Sequence, residues 1–197
     1  MEITNDVRTD QRLLNLAGYG AGKVDGIVGP RTLAAYDRWA ADVAAVKAET
    51  PEPDKRSAGN LASLLPAVQR EARVWLKRAV RAAAAYGMEV KIICGTRSWA
   101  EQDALYAKGR TAAGPRVTNA RGGASWHNYG VAFDIGLFKD DGSYVTDGGP
   151  YKKLVQVVGV PVGFEWGGVW KKLPDVPHFQ WVARYETLAE LKVNCRG

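Results

Sequence analysis

The chain is poor in the residue types that build covalent or metal frameworks. Two cysteines, Cys94 and Cys195, stand far apart in 197 residues, which excludes a disulfide scaffold and a cysteine-rich zinc cluster. Cys94 ends an apolar run, and a buried free thiol is the expectation there. No stretch approaches the ~18 consecutive apolar residues of a membrane span, so no membrane insertion is expected. The first ten residues lack a basic region followed by an apolar one, so no secretion signal is read from them. No internal repeat is visible. Histidine is equally scarce, limited to His127 and His178. Acidic residues are outnumbered, leaving a net charge of +6, which favours polyanionic neighbours such as an anionic wall polymer. The basic residues are scattered, and the densest group, Lys77, Arg78 and Arg81, falls on a predicted helix as a solvated face. No nucleic-acid partner is expected.

What is present suits one domain of about 130 to 150 residues plus a small module. From about Asp10 to Ala45 the pattern predicts two helices around a turn-rich segment, Asp25-Gly-Ile-Val-Gly-Pro-Arg-Thr32, with Leu33, Tyr36 and Trp39 at helical spacing. Residues 48–60 are rich in proline, charge and small side chains and read as a linker. Between Pro66 and Tyr86 a long helix is predicted, with Val68, Ala72, Trp75, Ala79 and Tyr86 near one face and Gly87 ending it. Glu89 to Cys94 reads as a strand. Ser98 and Glu101 form a capping box for a helix reaching about Lys108, which places Arg97 at its entrance. Val131 to Phe138 predicts a strand with Ala132 and Asp134 on one side. Asp140 to Ser143 reads as a hairpin turn and Tyr151 to Val158 as a helix. Short strands follow through Glu165-Trp-Gly-Gly and His178-Phe-Gln-Trp.

The two histidines carry the chemistry. His127 lies in Ser125-Trp-His-Asn-Tyr-Gly-Val-Ala-Phe-Asp134, seven residues before a carboxylate, and His178 follows Asp175-Val-Pro. Two neutral imidazoles and one carboxylate make a three-ligand set that leaves tetrahedral zinc one open position, the arrangement of catalytic rather than structural zinc. Pro174 and Pro177 argue against a helix, so Asp175 and His178 must converge through a bent loop or strand entry.

Four motifs, in order between about Leu61 and Trp181, carry a family resemblance. They are Arg97-Ser-x-x-Glu-Gln-x-x-Leu-Tyr-x-x-Gly-Arg-Thr, the Ser-x-His-x-x-Gly-x-Ala-x-Asp segment ending at Asp134, Glu165-Trp-Gly-Gly, and Asp175-x-Pro-His-Phe. With them the chain resembles the zinc-dependent D-Ala-D-Ala carboxypeptidases and L-alanyl-D-glutamate endopeptidases that cut peptidoglycan stem peptides. The resemblance implies Zn2+ held by His127, Asp134 and His178, with Asp175 as the catalytic acid-base and Arg97 as a cation stabilising the oxyanion. The alternative role for Asp175 is to orient His178. Ser125, Gln102, Glu165 and Trp126 are candidates for substrate contact; Ser125 could also brace the His127 loop, and Glu165 could orient a zinc ligand. Trp126, Trp166, Trp170 and Trp181 either wall a cleft or belong to the core. Many relatives have tyrosine at the position of Thr96 and aspartate at that of Val169.

The implied fold is α+β, an antiparallel sheet with flanking helices as in Hedgehog and DD-peptidase domains, preceded by a small all-helical module. The Asp-Gly-x-x-Gly-Pro-x-Thr turn resembles that of helical peptidoglycan-binding modules. The expected division is therefore a wall-binding-like module over 1–47, a linker over 48–60 and a zinc peptidase over 61–197. The aspartate at position 175 points to the endopeptidase branch, so the expected bond is L-Ala-D-Glu, with D-Ala-D-Ala carboxypeptidase activity as the alternative. A zinc-stabilised wall-binding protein without hydrolysis is the second alternative. The combination resembles a bacteriophage endolysin: a monomer made in the host cytoplasm that acts on the cell wall, in the periplasm or outside the cell.

Overall fold

The computed structural model of the chain describes residues 3–49 and 53–196. In chain order its elements are α1 (Val7–Leu16), α2 (Pro30–Glu49), α3 (Lys55–Ala62), α4 (Pro66–Ala84), β1 (Met88–Cys94), α5 (Trp99–Ala107), β2 (Ala132–Lys139), α6 (Gly148–Val158), β3 (Phe164–Trp166), β4 (His178–Trp181) and α7 (Leu188–Asn194). The strands form one antiparallel sheet in the order β1-β2-β4-β3. Helices flank that sheet, which is the α+β architecture expected.

Period-two alternation divides the sheet into two chemically distinct faces. Val90, Ile92, Phe133, Ile135, Leu137 and Phe179 are buried on one of them. Phe133 stacks on Phe179 with ring centroids 5.2 Å apart, and Trp75 of α4 closes on Phe179 at 4.9 Å. Both phenylalanines are wholly enclosed, and such burial contributes about 1.5–3 kcal/mol for each side chain. The Trp75 indole is satisfied by the Gly159 carbonyl at 2.7 Å, which ties α4 to the end of α6. The residues of the opposite face are left for the site.

The capping box at Ser98 and Glu101 is present and starts α5 one residue after Arg97–Ser98, as the sequence indicates. Three readings differ. Within the predicted linker, residues 50–52 lie outside the described residues, while Lys55–Ala62 forms α3, capped by Asp54. That helix is pinned to β1, since Ser57 Oγ accepts from the Ile92 N–H at 2.9 Å and Asn60 Nδ2 donates to the Ile92 carbonyl at 2.9 Å. Leu33, expected on the buried side of α2, is 52% exposed because Thr32, Ala35, Tyr36 and Trp39 turn inward instead. Tyr86, expected at the end of the α4 core face, is also exposed and lies against Lys153. In addition α7, which the sequence pattern did not reveal, packs at the C-terminal side with Leu191 fully buried.

Helices α1 and α2 share one hydrophobic cluster with the sheet and α4. Leu13, Leu14, Tyr36 and Trp39 belong to the same contiguous core as Leu65, Trp75 and Phe133.

Candidate active site

Strand register assembles the site. Asp134 of β2 faces His178 of β4, and Gln180 of β4 faces Glu165 of β3. Because residues two apart share a face, Asp134, His178, Gln180 and Glu165 form one patch on the side away from the aromatic core. His127 arrives from outside the sheet, on a 3₁₀ turn over Trp126–Tyr129. Asn128, fully buried, holds that turn: its Oδ1 accepts from the N–H groups of Gly123 and Ser125 at 3.0 and 3.2 Å, and its Nδ2 donates to the Arg97 carbonyl at 3.0 Å. Gly130 ends the turn at φ 65°, and a Cβ there would lie 2.8 Å from Leu13 Cδ2.

Three donor atoms then converge. His127 Nε2 lies 3.2 Å from Asp134 Oδ1 and 3.2 Å from His178 Nδ1, and His178 Nδ1 lies 2.9 Å from Asp134 Oδ1. The hydrogen bonds behind these atoms decide where the protons are. His127 Nδ1 faces the Gly95 carbonyl at 2.8 Å and must donate to it, which leaves Nε2 with a lone pair. Gln180 Nε2 donates to Glu165 Oε2 at 3.0 Å, so its Oε1 faces His178 Nε2 at 3.3 Å and accepts from it. Trp170 Nε1 donates to the other Glu165 oxygen at 2.6 Å. His178 Nδ1 is therefore also a bare lone pair. Two imidazole lone pairs and a carboxylate oxygen within about 3 Å repel one another unless a cation sits between them. Ligands about 2.0–2.1 Å from a tetrahedral zinc are about 3.3 Å apart, close to the edges of this triangle. The donor set fits the metal.

Electrostatics agree with a centre built for positive charge. Burial would lower the His127 pKa, but Asp134 overrides it and raises it to about 10. Burial would raise the Asp134 carboxyl, yet His127 and His178 hold it well below the usual range. In the protein alone the positive charge resides on protons, which a divalent cation held by the same three atoms replaces.

The triangle opens into a cleft of about 710 Å³ whose lining includes Arg97, Ser125, Trp126, Trp170 and Asp175. The Asp175 carboxylate accepts no hydrogen bond among the described residues, and its pKa is raised, first by desolvation and then by the charge of Asp134.

This geometry coincides with a sequence match. The profile of the D-alanyl-D-alanine carboxypeptidase family matches residues 118–181, a span that contains His127, Asp134, Asp175 and His178. Peptidoglycan L-alanyl-D-glutamate endopeptidase CwlK of Bacillus subtilis (strain 168) is 45% identical over 114 residues, covering 53% of this chain and 68% of CwlK. The chain belongs to this metallopeptidase family. Among solved structures, the Serratia marcescens L-Ala D-Glu endopeptidase ChiX is similar with 25% identity and a TM-score of 0.41, over 68% of this chain and 93% of ChiX.

Within this metallopeptidase the sequence-derived residues divide. Arg97 borders the cleft, but three of its donors are committed: Nε to Cys94 Sγ at 3.2 Å, Nη1 to Gln102 Oε1 at 2.7 Å and Nη2 to Asp134 Oδ2 at 3.2 Å. One N–H on each terminal nitrogen remains. Gln102 requires correction as a substrate contact. It is 0% exposed and bonded to Arg97, Thr118 and the Ala120 carbonyl, so it holds Arg97 in place. Glu165 has both oxygens engaged and acts on His178 through Gln180. Trp126 and Trp170 line the cleft, whereas Trp166 is buried with its indole bonded to the Val176 carbonyl. Thr96 turns from the cleft and donates to the Ser63 carbonyl at 2.5 Å.

Sequence reasoning passed over three residues. Asn128 and Gln180 each neighbour a histidine of the motifs, and Gln180 lies on the face of His178 by simple alternation. Cys94 stands opposite Asp134 in the β1–β2 register, and its donor atom lies within 4.8 Å of those of His127 and Asp134. Its Sγ faces His127 Nδ1 at 3.7 Å, the ring edge already bonded to Gly95, so the thiol lies behind the imidazole and outside the triangle.

Proposed function

We infer that this chain is a peptidoglycan hydrolase cutting the L-Ala-D-Glu bond of the stem peptide, with zinc held by His127, Asp134 and His178. The observation that carries the reading is the triangle of two imidazole nitrogens and a carboxylate oxygen, each side chain fixed from behind by its own hydrogen bond, opening beside a carboxylate that accepts no hydrogen bond among the described residues. The 45% identity to CwlK supports the choice of bond over trimming of terminal D-Ala.

When bound, the ion supplies Lewis acidity, bringing water near neutrality as a nucleophile and drawing electron density from the scissile carbonyl. Asp175 takes the proton from the attacking water as the new C–O bond forms, then delivers it to the D-Glu nitrogen as the C–N bond breaks. Its raised pKa assists the first step, since a stronger base accepts the proton of water more readily. Arg97, which lines the cleft, uses its two remaining N–H groups to stabilise charge on the carbonyl oxygen, while Gln102 and Asp134 keep the guanidinium from rotating away. Trp126 and Trp170 wall the reacting centre. Ser125, beside His127 at the rim, contacts the stem peptide.

The residues 1–47 form a wall-binding module in this reading, and the whole is a monomeric lytic enzyme of the endolysin kind that acts on the cell wall. Mass spectrometry of muropeptides after digestion tests the bond. New D-Glu amino termini are expected; free D-Ala with intact L-Ala-D-Glu bonds would assign carboxypeptidase activity instead. Wall binding with no released amine would assign the non-catalytic alternative.

A further inference from the structure

A second polar hollow lies behind the His127 loop, where α1, the loop after it and α7 meet the start of α5. It encloses about 500 Å³ and is lined by four cationic side chains, Arg12, Lys23, Lys192 and Arg196, over a floor of Trp99 and the Gly122-Gly123 backbone. Among the described residues no carboxylate lines it. The nearby Asp103 is turned to the Gly122 N–H at 2.8 Å, and Asp6 reaches Arg12 only as a distant field. The Arg12 guanidinium lies over the Trp99 ring, its Cζ 3.8 Å from the centroid. Among the described residues it has no ion pair and no hydrogen bond, although burial depresses its pKa. The Trp99 indole N–H beneath it is also buried without an acceptor.

A half-buried guanidinium is normally matched by an acid, and four cations around one hollow repel each other. Three separate segments of chain bring them together. We propose that this hollow is an oxyanion-binding site for a phosphate-class group, either free phosphate or a phosphodiester of an anionic wall polymer. Arg12 is the anchor because its planar fork is stacked and oriented before the ligand arrives. Lys23, Lys192 and Arg196 add charge around the rim. The assignment rests on the charge and shape of the hollow and stands apart from the peptidase reading.

Pyrophosphate is the probe, titrated into the full-length ¹⁵N-labelled protein while the Trp99 indole N–H resonance, assigned with Trp99→Phe, is followed. A saturable shift is expected, weakened at least about tenfold by Arg12→Gln and separately by Lys192→Gln. Lys152→Gln removes the same charge from the exposed face of α6 and should leave the affinity unchanged. Should Arg12→Gln fail to fold, Lys192→Gln carries the test alone. The proposal is overturned by no saturable shift up to about 10 mM pyrophosphate, or by equal weakening in Lys152→Gln, which would reduce the effect to net charge. Sedimentation with walls that retain or have lost their phosphodiester polymer separates the two sources. Arg12-dependent binding lost on stripping identifies the polymer, and pyrophosphate binding without Arg12-dependent sedimentation identifies free phosphate.

Discussion

Glu165 determines which nitrogen of His178 is free, although the two side chains do not touch. The carboxylate can only accept, so Gln180 must present its amide N–H at 3.0 Å and turn its carbonyl oxygen to His178 Nε2 at 3.3 Å. The proton is thereby kept on Nε2 and the lone pair on Nδ1, beside Asp134. Trp170 completes the arrangement through the second carboxylate oxygen.

Removing this relay is expected to loosen metal without unfolding the protein. Gln180→Ala should lower zinc affinity about 10–100-fold, the usual cost of losing a partner behind a metal-bound histidine. His127→Ala should abolish stoichiometric binding. Competition with a chromogenic chelator measures both, and zinc held by Gln180→Ala with unchanged affinity would remove the orienting role.

Asp175→Asn should retain zinc and fold while lowering kcat/KM by about 10²–10⁴-fold, the range for a lost acid-base group. Asp175 makes no side-chain hydrogen bond among the described residues, so the melting temperature of the variant should match the parent. Metal content, thermal melting and release of amines from purified wall check the three parts.

Gly95 has no room for a side chain. A Cβ there would lie 2.2 Å from the Asn60 carbonyl oxygen and 2.9 Å from Ser63 Oγ. Gly95→Ala must push the end of β1 from α3, moving the carbonyl that fixes His127 Nδ1. Both thermal stability and zinc affinity should fall, whereas Gly142→Ala, which meets no neighbouring atom but has a φ of 79°, should cost stability alone.

The N-terminal helices have a structural duty that deletion would confuse with wall binding. Leu13 is fully buried under Gly130, and Leu13→Ala should destabilise the chain by about 2–5 kcal/mol. Ile27, 69% exposed at the turn, separates the two duties. Ile27→Ser should leave the unfolding free energy within about 0.5 kcal/mol of the parent while weakening sedimentation with purified walls, if residues 1–47 bind them. Unchanged sedimentation would leave α1 and α2 as scaffold only.

Composition, spacing and local pattern were enough to single out His127, Asp134 and His178 as a candidate ligand set, the capping box that positions Arg97 and the two faces of β2, while the role expected of Asp175 came from the family resemblance. Those features are written in adjacent or periodic residues, and histidine was too scarce to leave a choice. Tertiary structure decided what distant partners do. Gln102 reads as an exposed polar residue of α5 until Arg97 and Ala120 enclose it. Glu165 and Gln180 are 15 residues apart and become neighbours only through the β3–β4 register. Helix α3 looks like a connector because its sequence is polar, and its order comes from Ser57 and Asn60 bonding to β1. The basic hollow unites residues from opposite ends of the chain. Long-range pairing depends on which surfaces close on one another, and no local period encodes it.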